Sequence, residues 1–179
     1  TSSATPSAVL PDLGASRVLE WNSSVVEPRF AREGGVAFDG ANYFVLRDSE
    51  KIVFSNKSLK VLAQVKLSPG TKGVIVSKYD YLGGRFFELS VNEDGLVAFS
   101  ASDSTASVNL ESVISYADGN FHSILASVDS SKASLFVDYR LEAQADSADL
   151  TDFNSGVPIT VGANTGFIPW MGQTVNNFN

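Results

Sequence analysis

The chain has 179 residues, 44% of them hydrophobic, with a formal charge of −7 and no cysteine. That length supports one sizeable core, since all-β sandwiches often run this long as a single domain. The acidic balance argues against nucleic-acid or anionic-membrane partners, which need a cationic surface; the missing cysteines remove disulfide frameworks and thiolate metal sites; and no apolar run approaches the roughly 20 residues that cross a bilayer.

Residues 1–7 form a Ser/Thr/Pro-rich tract that reads as a linker or stalk, ahead of a single domain at 8–179. The start at Thr1, without Met or an apolar leader, reads as a piece cut from a longer, processed chain. Val18–Trp21 and Ser24–Val26 each read as a short edge strand, Pro28 ending the second, and whether 8–33 joins the domain is left open. From Gly34 onward, short strands recur between turn residues. Ser58–Leu67 alternates, with Leu59, Val61, Ala63, Val65 and Leu67 on one side and Lys60, Gln64 and Lys66 on the other. Pro69-Gly70 is a turn and Asn92-Glu93-Asp94-Gly95 a hairpin, because Asp-Gly suits positive backbone angles.

The most informative stretch is Asp118–Ala143. It reads as three strands: Asp118-Gly119 turns into Phe121–Val128, Asp129–Lys132 is a polar hairpin loop, Ala133, Leu135 and Val137 alternate, and Asp138-Tyr139 turns again. About thirteen strands and no helix predict an all-β, two-sheet antiparallel jelly-roll sandwich.

His122, the only histidine, shares the side of Ile124, Ala126 and Val128. It reads as a core-edge residue bonded to a backbone carbonyl, with too few partners for a catalytic base. Glu88 stands alone among Phe86, Phe87 and Leu89, while Asp103, Asp118, Asp129 and Asp138 sit at turns, where such residues bond their own backbone. Retaining glycosidases need carboxyl pairs about 5–5.5 Å apart. No strand supplies one, so glycoside hydrolysis is disfavoured. Tyr79, Tyr81, Phe167 and Trp170 fall in predicted loops, with Gly83-Gly84 beside the first two. Such aromatics suit sugar stacking or a protein partner, although Phe167 and Trp170 equally suit closing the end of the sandwich. Asn22-Ser23-Ser24 and Asn56-Lys57-Ser58 fit the N-glycosylation acceptor pattern, giving Asn22 and Asn56 as candidates.

Over residues 34–179 these pieces resemble the laminin G-like, or laminin–neurexin–sex-hormone-binding-globulin, domain of the concanavalin A-like superfamily. The resemblance rests on the Asp118–Ala143 segment, the opening Gly35–Leu46, the Phe86–Phe99 hairpin, Asp152-Phe153-Asn154 leading to Ile159–Gly162, and the closing Trp170–Phe178. It implies a non-catalytic extracellular recognition or adhesion module of a larger multidomain chain, binding protein or glycan through rim loops. The alternative is a lectin-like carbohydrate-binding domain, attached to a glycan-active enzyme. Many such domains carry a disulfide, which this chain lacks.

The resemblance also implies a calcium site, through Asn154, the carbonyls of Asp152 and Ala101, and an Asp where this chain has Arg85. A guanidinium cannot ligate calcium. Calcium is therefore disfavoured as a cofactor, with Arg85 expected to bond Asn154 or the Asp152 carbonyl in its place and Asp80 the one substitute ligand at hand.

Overall fold

The computed structural model describes residues 19–22, 29–30, 35–38, 43–46, 58–80, 83–147, 150, 152–164 and 176–177. Among these, fifteen strands and no helix are found: β1 (Leu19–Asn22), β2 (Arg29–Phe30), β3 (Val36–Ala37), β4 (Tyr43–Leu46), β5 (Leu59–Lys66), β6 (Gly73–Asp80), β7 (Arg85–Val91), β8 (Leu96–Asp103), β9 (Ser107–Ser115), β10 (Phe121–Val128), β11 (Lys132–Val137), β12 (Arg140–Asp146), β13 (Ile159–Val161), β14 (Ala163–Asn164) and β15 (Asn176–Asn177). The count is close to the expected thirteen, and β2, β3, β14 and β15 are only two residues long.

Two antiparallel sheets carry the architecture. The larger has seven strands in the order β1-β4-β13-β6-β7-β8-β9, the smaller four in the order β12-β11-β10-β5. Neighbours distant in sequence, such as β4 with β13 and β5 with β10, tie the chain across itself. This is the expected jelly-roll sandwich. The register of β1 on β4, Trp21 opposite Phe44, places Leu19–Asn22 in the larger sheet.

Period-two patterning builds the core. His122, Ile124, Ala126 and Val128 point inward from β10, as their alternation requires, and meet Ala133, Leu135 and Val137 of β11. From the larger sheet come Phe87, Leu89, Val97, Phe99 and Ala101. Each fully buried aliphatic or aromatic side chain contributes roughly 1.5–3 kcal/mol relative to exposure. Gly95 ends the Asn92–Gly95 turn at φ +76°, where a Cβ would meet the Ser115 hydroxyl. Gly162 combines φ +87° with a Phe38 ring lying against its Cα. Both positions require glycine. Among the described residues no helix is long and apolar enough to cross a membrane.

Candidate functional site

Three connections meet at one end of the larger sheet. The β6–β7 and β8–β9 turns are adjacent because Asp80 pairs with Arg85 and Arg85 with Asp103 in the ladder. The Ser102 hydroxyl donates to the Gly84 carbonyl at 2.9 Å, joining the two turns. Asp80 folds over its own turn, Oδ1 accepting the Gly83 N–H at 2.8 Å, and Asp103 Oδ1 accepts the N–H groups of Thr105 and Ala106 and the Thr105 hydroxyl. Short carboxylates at turns satisfy backbone donors in this way.

The third connection, residues 152–158, is fastened by Lys78. This lysine occupies the inward row Lys78–Phe87–Ala101 and is 1% exposed. Its ammonium donates to the carbonyls of Ser155 (3.1 Å) and Val157 (2.5 Å). Phe153 is buried in the core, and the Asn154 N–H donates to Asp152 Oδ1 at 2.8 Å. Sequence reasoning missed Lys78; the signal was a single cation inside the apolar run Val74-Ile75-Val76-Ser77-Lys78-Tyr79.

Tyr79 corrects an expectation. It lies in strand β6 rather than in a loop, its ring stacked on Phe86 with centroids 4.7 Å apart. Neighbouring glycines suggested a loop, but cross-strand aromatic packing holds this segment extended. Arg85 opens β7 between Asp80 and Asp103, and its side chain lies outside the described residues, as do Tyr81, Phe167, Trp170 and Asn56. Asn22 is the last residue of β1.

The calcium ligand set does not fit an ion as the chain is arranged. Asp80 and Asp152 each have a carboxylate oxygen bonded within their own turn. Ala101 sits inside the ladder between Phe87 and Val108, so its carbonyl faces a strand partner. The carbonyls of the third connection already hold the Lys78 ammonium. A hard cation takes six to eight oxygens, and among the described residues no group of three or more His, Asp or Glu side chains gathers to supply them.

Glu88 lies on the outward side of β7, in a row with Ser77 and Ser100. Burial pushes its carboxyl above the usual range, while a 2.5 Å bond from Asn164 Nδ2 opposes that shift. Its register neighbours are hydroxyls, so the row presents a single carboxylate where retaining hydrolysis needs two.

His122 requires a second correction. It bonds two carboxylates instead of a carbonyl: Nδ1 to Asp138 Oδ2 at 2.7 Å and Nε2 to Asp118 Oδ1 at 2.9 Å. Asp118 and Asp138 thus reach beyond their own turns, and Asp138 Oδ1 also accepts the Ser123 N–H across the hairpin. Asp103 and Asp129 do serve their own turns. Burial favours the neutral imidazole, but the two carboxylates prevail and raise the His122 pKa above its ordinary value. Asp118 in turn is held at about 2, mainly by the His122 bond. Alongside, the Tyr116 hydroxyl donates to Glu142 Oε1 at 2.6 Å, and burial and that carboxylate push its pKa to about 12. The cluster knits β10, β11, β12 and the end of β9 together.

The laminin G domain family model matches residues 68–179. No curated protein matches the chain in sequence. Among solved structures, the binding domain of Paraclostridial Mosquitocidal Protein 1 superposes with a TM-score of 0.67 at 13% identity, covering 83% of this chain and 40% of that one. Domains LG4-5 of the mouse laminin alpha1 chain give 0.60 at 15%, covering 78% and 37%. The CBM40 of Ruminococcus gnavus IT-sialidase, bound to alpha2,3 sialyllactose, gives 0.54 at 16%, covering 67% and 69%. At these identities the likeness is one of fold, and the chain spans about two fifths of the first two structures.

Proposed function

The chain belongs to the laminin G domain family, and from that membership we propose that it is a non-catalytic extracellular recognition module within a larger multidomain protein. In this reading the rim segments Tyr79–Arg85, Ala101–Thr105, Asp152–Asn154 and Phe167–Trp170 present the binding surface to a protein or glycan. The observation that supports it best is the Asp80–Arg85–Asp103 register, which sets the β6–β7 and β8–β9 turns side by side, with Lys78 holding the Ser155 and Val157 carbonyls of the next connection. Loops held still by a rigid scaffold bind at lower ordering cost. The Lys78 ammonium gathers the Ser155 and Val157 carbonyls of the third connection, and in this reading binding does not require calcium.

A lectin-like role is the second reading, favoured by the stacked Tyr79–Phe86 pair and by the likeness to a sialyllactose-bound domain. The two readings share a test. The chain is probed on arrays of sialylated and neutral glycans and of matrix and cell-surface proteins, with and without EDTA, beside Tyr79→Ala and Asp80→Lys variants. A ligand whose binding falls at least tenfold in those variants and ignores EDTA supports the rim. Binding indifferent to both variants, or glycan cleavage abolished by Glu88→Gln, would overturn it.

A further inference from the structure

The outward face of the smaller sheet carries an apolar row that the core does not use. Leu62 stands opposite Leu125, Leu125 opposite Phe136, and Phe136 opposite Leu141, so one strip crosses all four strands. Leu62 is 77% exposed and Leu141 47%. Exposed apolar strips of this kind mark interaction sites more often than they occur by chance. Along this strip runs a groove of about 670 Å³, bounded by Leu62, Leu125, Phe136, Gln64, Ser123 and Tyr139. That volume lies in the range of about 300–1,000 Å³ typical of small-ligand sites.

Tyr139 is the unusual member. It occupies the second position of the two-residue β11–β12 turn, following Asp138 at φ +49°, and itself has φ +66°. Turns of this shape take Asn-Gly or Asp-Gly, because a Cβ is strained there. A tyrosine is kept instead, 96% exposed and bordering the groove. Folding gains nothing from an exposed ring in a strained turn, and backbone strain of this kind gathers at functional positions.

The lining decides what fits. Among the described residues that line the groove none is charged; besides the Tyr139 hydroxyl, its polar groups are the Gln64 amide and the Ser123 hydroxyl, each able to donate and to accept. Aromatic faces with neutral hydrogen-bonding groups complement the C–H face and hydroxyl edge of a sugar ring. A second copy of the chain fits worse. Lys60, Lys66 and Lys132 outnumber Asp146 among the outward charges of this sheet, so two such faces would repel.

We propose that this groove is a sugar-binding subsite for uncharged pyranose residues, stacked on Tyr139 and Phe136 and oriented by Gln64 and Ser123. It lies on the other sheet from the rim and stands independently of the rim reading. The test is isothermal titration and ¹H–¹⁵N NMR with uncharged oligosaccharides (maltotetraose, cellotetraose, N-acetylchitotriose and lactose), beside Tyr139→Gly, Gln64→Ala and, as a rim control, Tyr79→Ala. Tyr139→Gly suits the turn backbone, so the fold survives and lost binding reports lost contact. The expected result is shifts confined to β5, β10, β11 and the β11–β12 turn, an at least tenfold loss in Tyr139→Gly, a smaller loss in Gln64→Ala, none in Tyr79→Ala, and affinity unchanged by high salt. The proposal is overturned if none of the four sugars binds, if Tyr139→Gly binds as well as the parent, or if binding disappears with salt, which would point to lysine-held anions. It is equally overturned if sedimentation shows a dimer broken by Leu62→Ser.

Discussion

The two ends of this sandwich use their charged side chains differently. Around β10–β12, side-chain bonds join His122 to Asp118 and Asp138, and Tyr116 to Glu142, while each of the three carboxylates also accepts one backbone N–H. At the loop end of the larger sheet, Lys78, Asp80 and Asp103 bond backbone groups instead. The first arrangement locks strands that already pair; the second gives shape to segments without a ladder of their own. Polar residues therefore stiffen the scaffold at one end and shape the proposed binding surface at the other.

The sharpest challenge to this contrast starts from a core reference. Leu135→Ala, at a position with 0% exposure, is expected to cost about 2–5 kcal/mol in chemical denaturation. Next comes Lys78→Met, which leaves two carbonyls without their donor and should cost about 2–3 kcal/mol, or roughly 5–10 °C in melting temperature. Hydrogen exchange should rise in residues 152–158 and stay unchanged in β10–β12. Uniform loosening of the whole domain would break the comparison.

A smaller effect is expected with pH. The His122 pKa is raised, so its ion pairs contribute fully below about pH 6.5 and are lost as pH climbs through the higher folded value. Asp118, held at about 2, contributes above its ordinary 3.8 and loses that contribution as pH falls toward 2. Between these limits the cluster stabilises most. Melting curves across pH should slope downward above neutrality, and His122→Gln should flatten that limb; an unchanged alkaline slope would remove the ion pairs from the account. The smallest effect belongs to Tyr139→Gly, expected to leave stability unchanged or raise it by up to about 1 kcal/mol. A fall of 2 °C or more in its melting temperature would show that the tyrosine packs where it stands.

The fold was legible wherever alternation ran long. Phe121–Val128 and Leu59–Lys66 revealed their buried sides residue by residue, and Asp94-Gly95 announced its hairpin. The candidate site was harder to read, because its decisive contacts join residues far apart in sequence. Lys78 reaches carbonyls 77 and 79 positions away. Asp118 and Asp138 looked like turn residues because they are, and nothing local indicated that both also face His122. Tyr79 was misread because Gly83-Gly84 weakened the strand signal just where Phe86 restores it from across the ladder.

Glu142 has one further consequence. Its Oε2 accepts the Val113 N–H at 2.9 Å, on the outermost strand of the larger sheet, where that sheet also bulges between Leu96 and Ala98. An unprotected outer strand is a template on which stray chains polymerise. By occupying that donor with a carboxylate from the opposite layer, the molecule blocks one point on this edge at which another strand could pair.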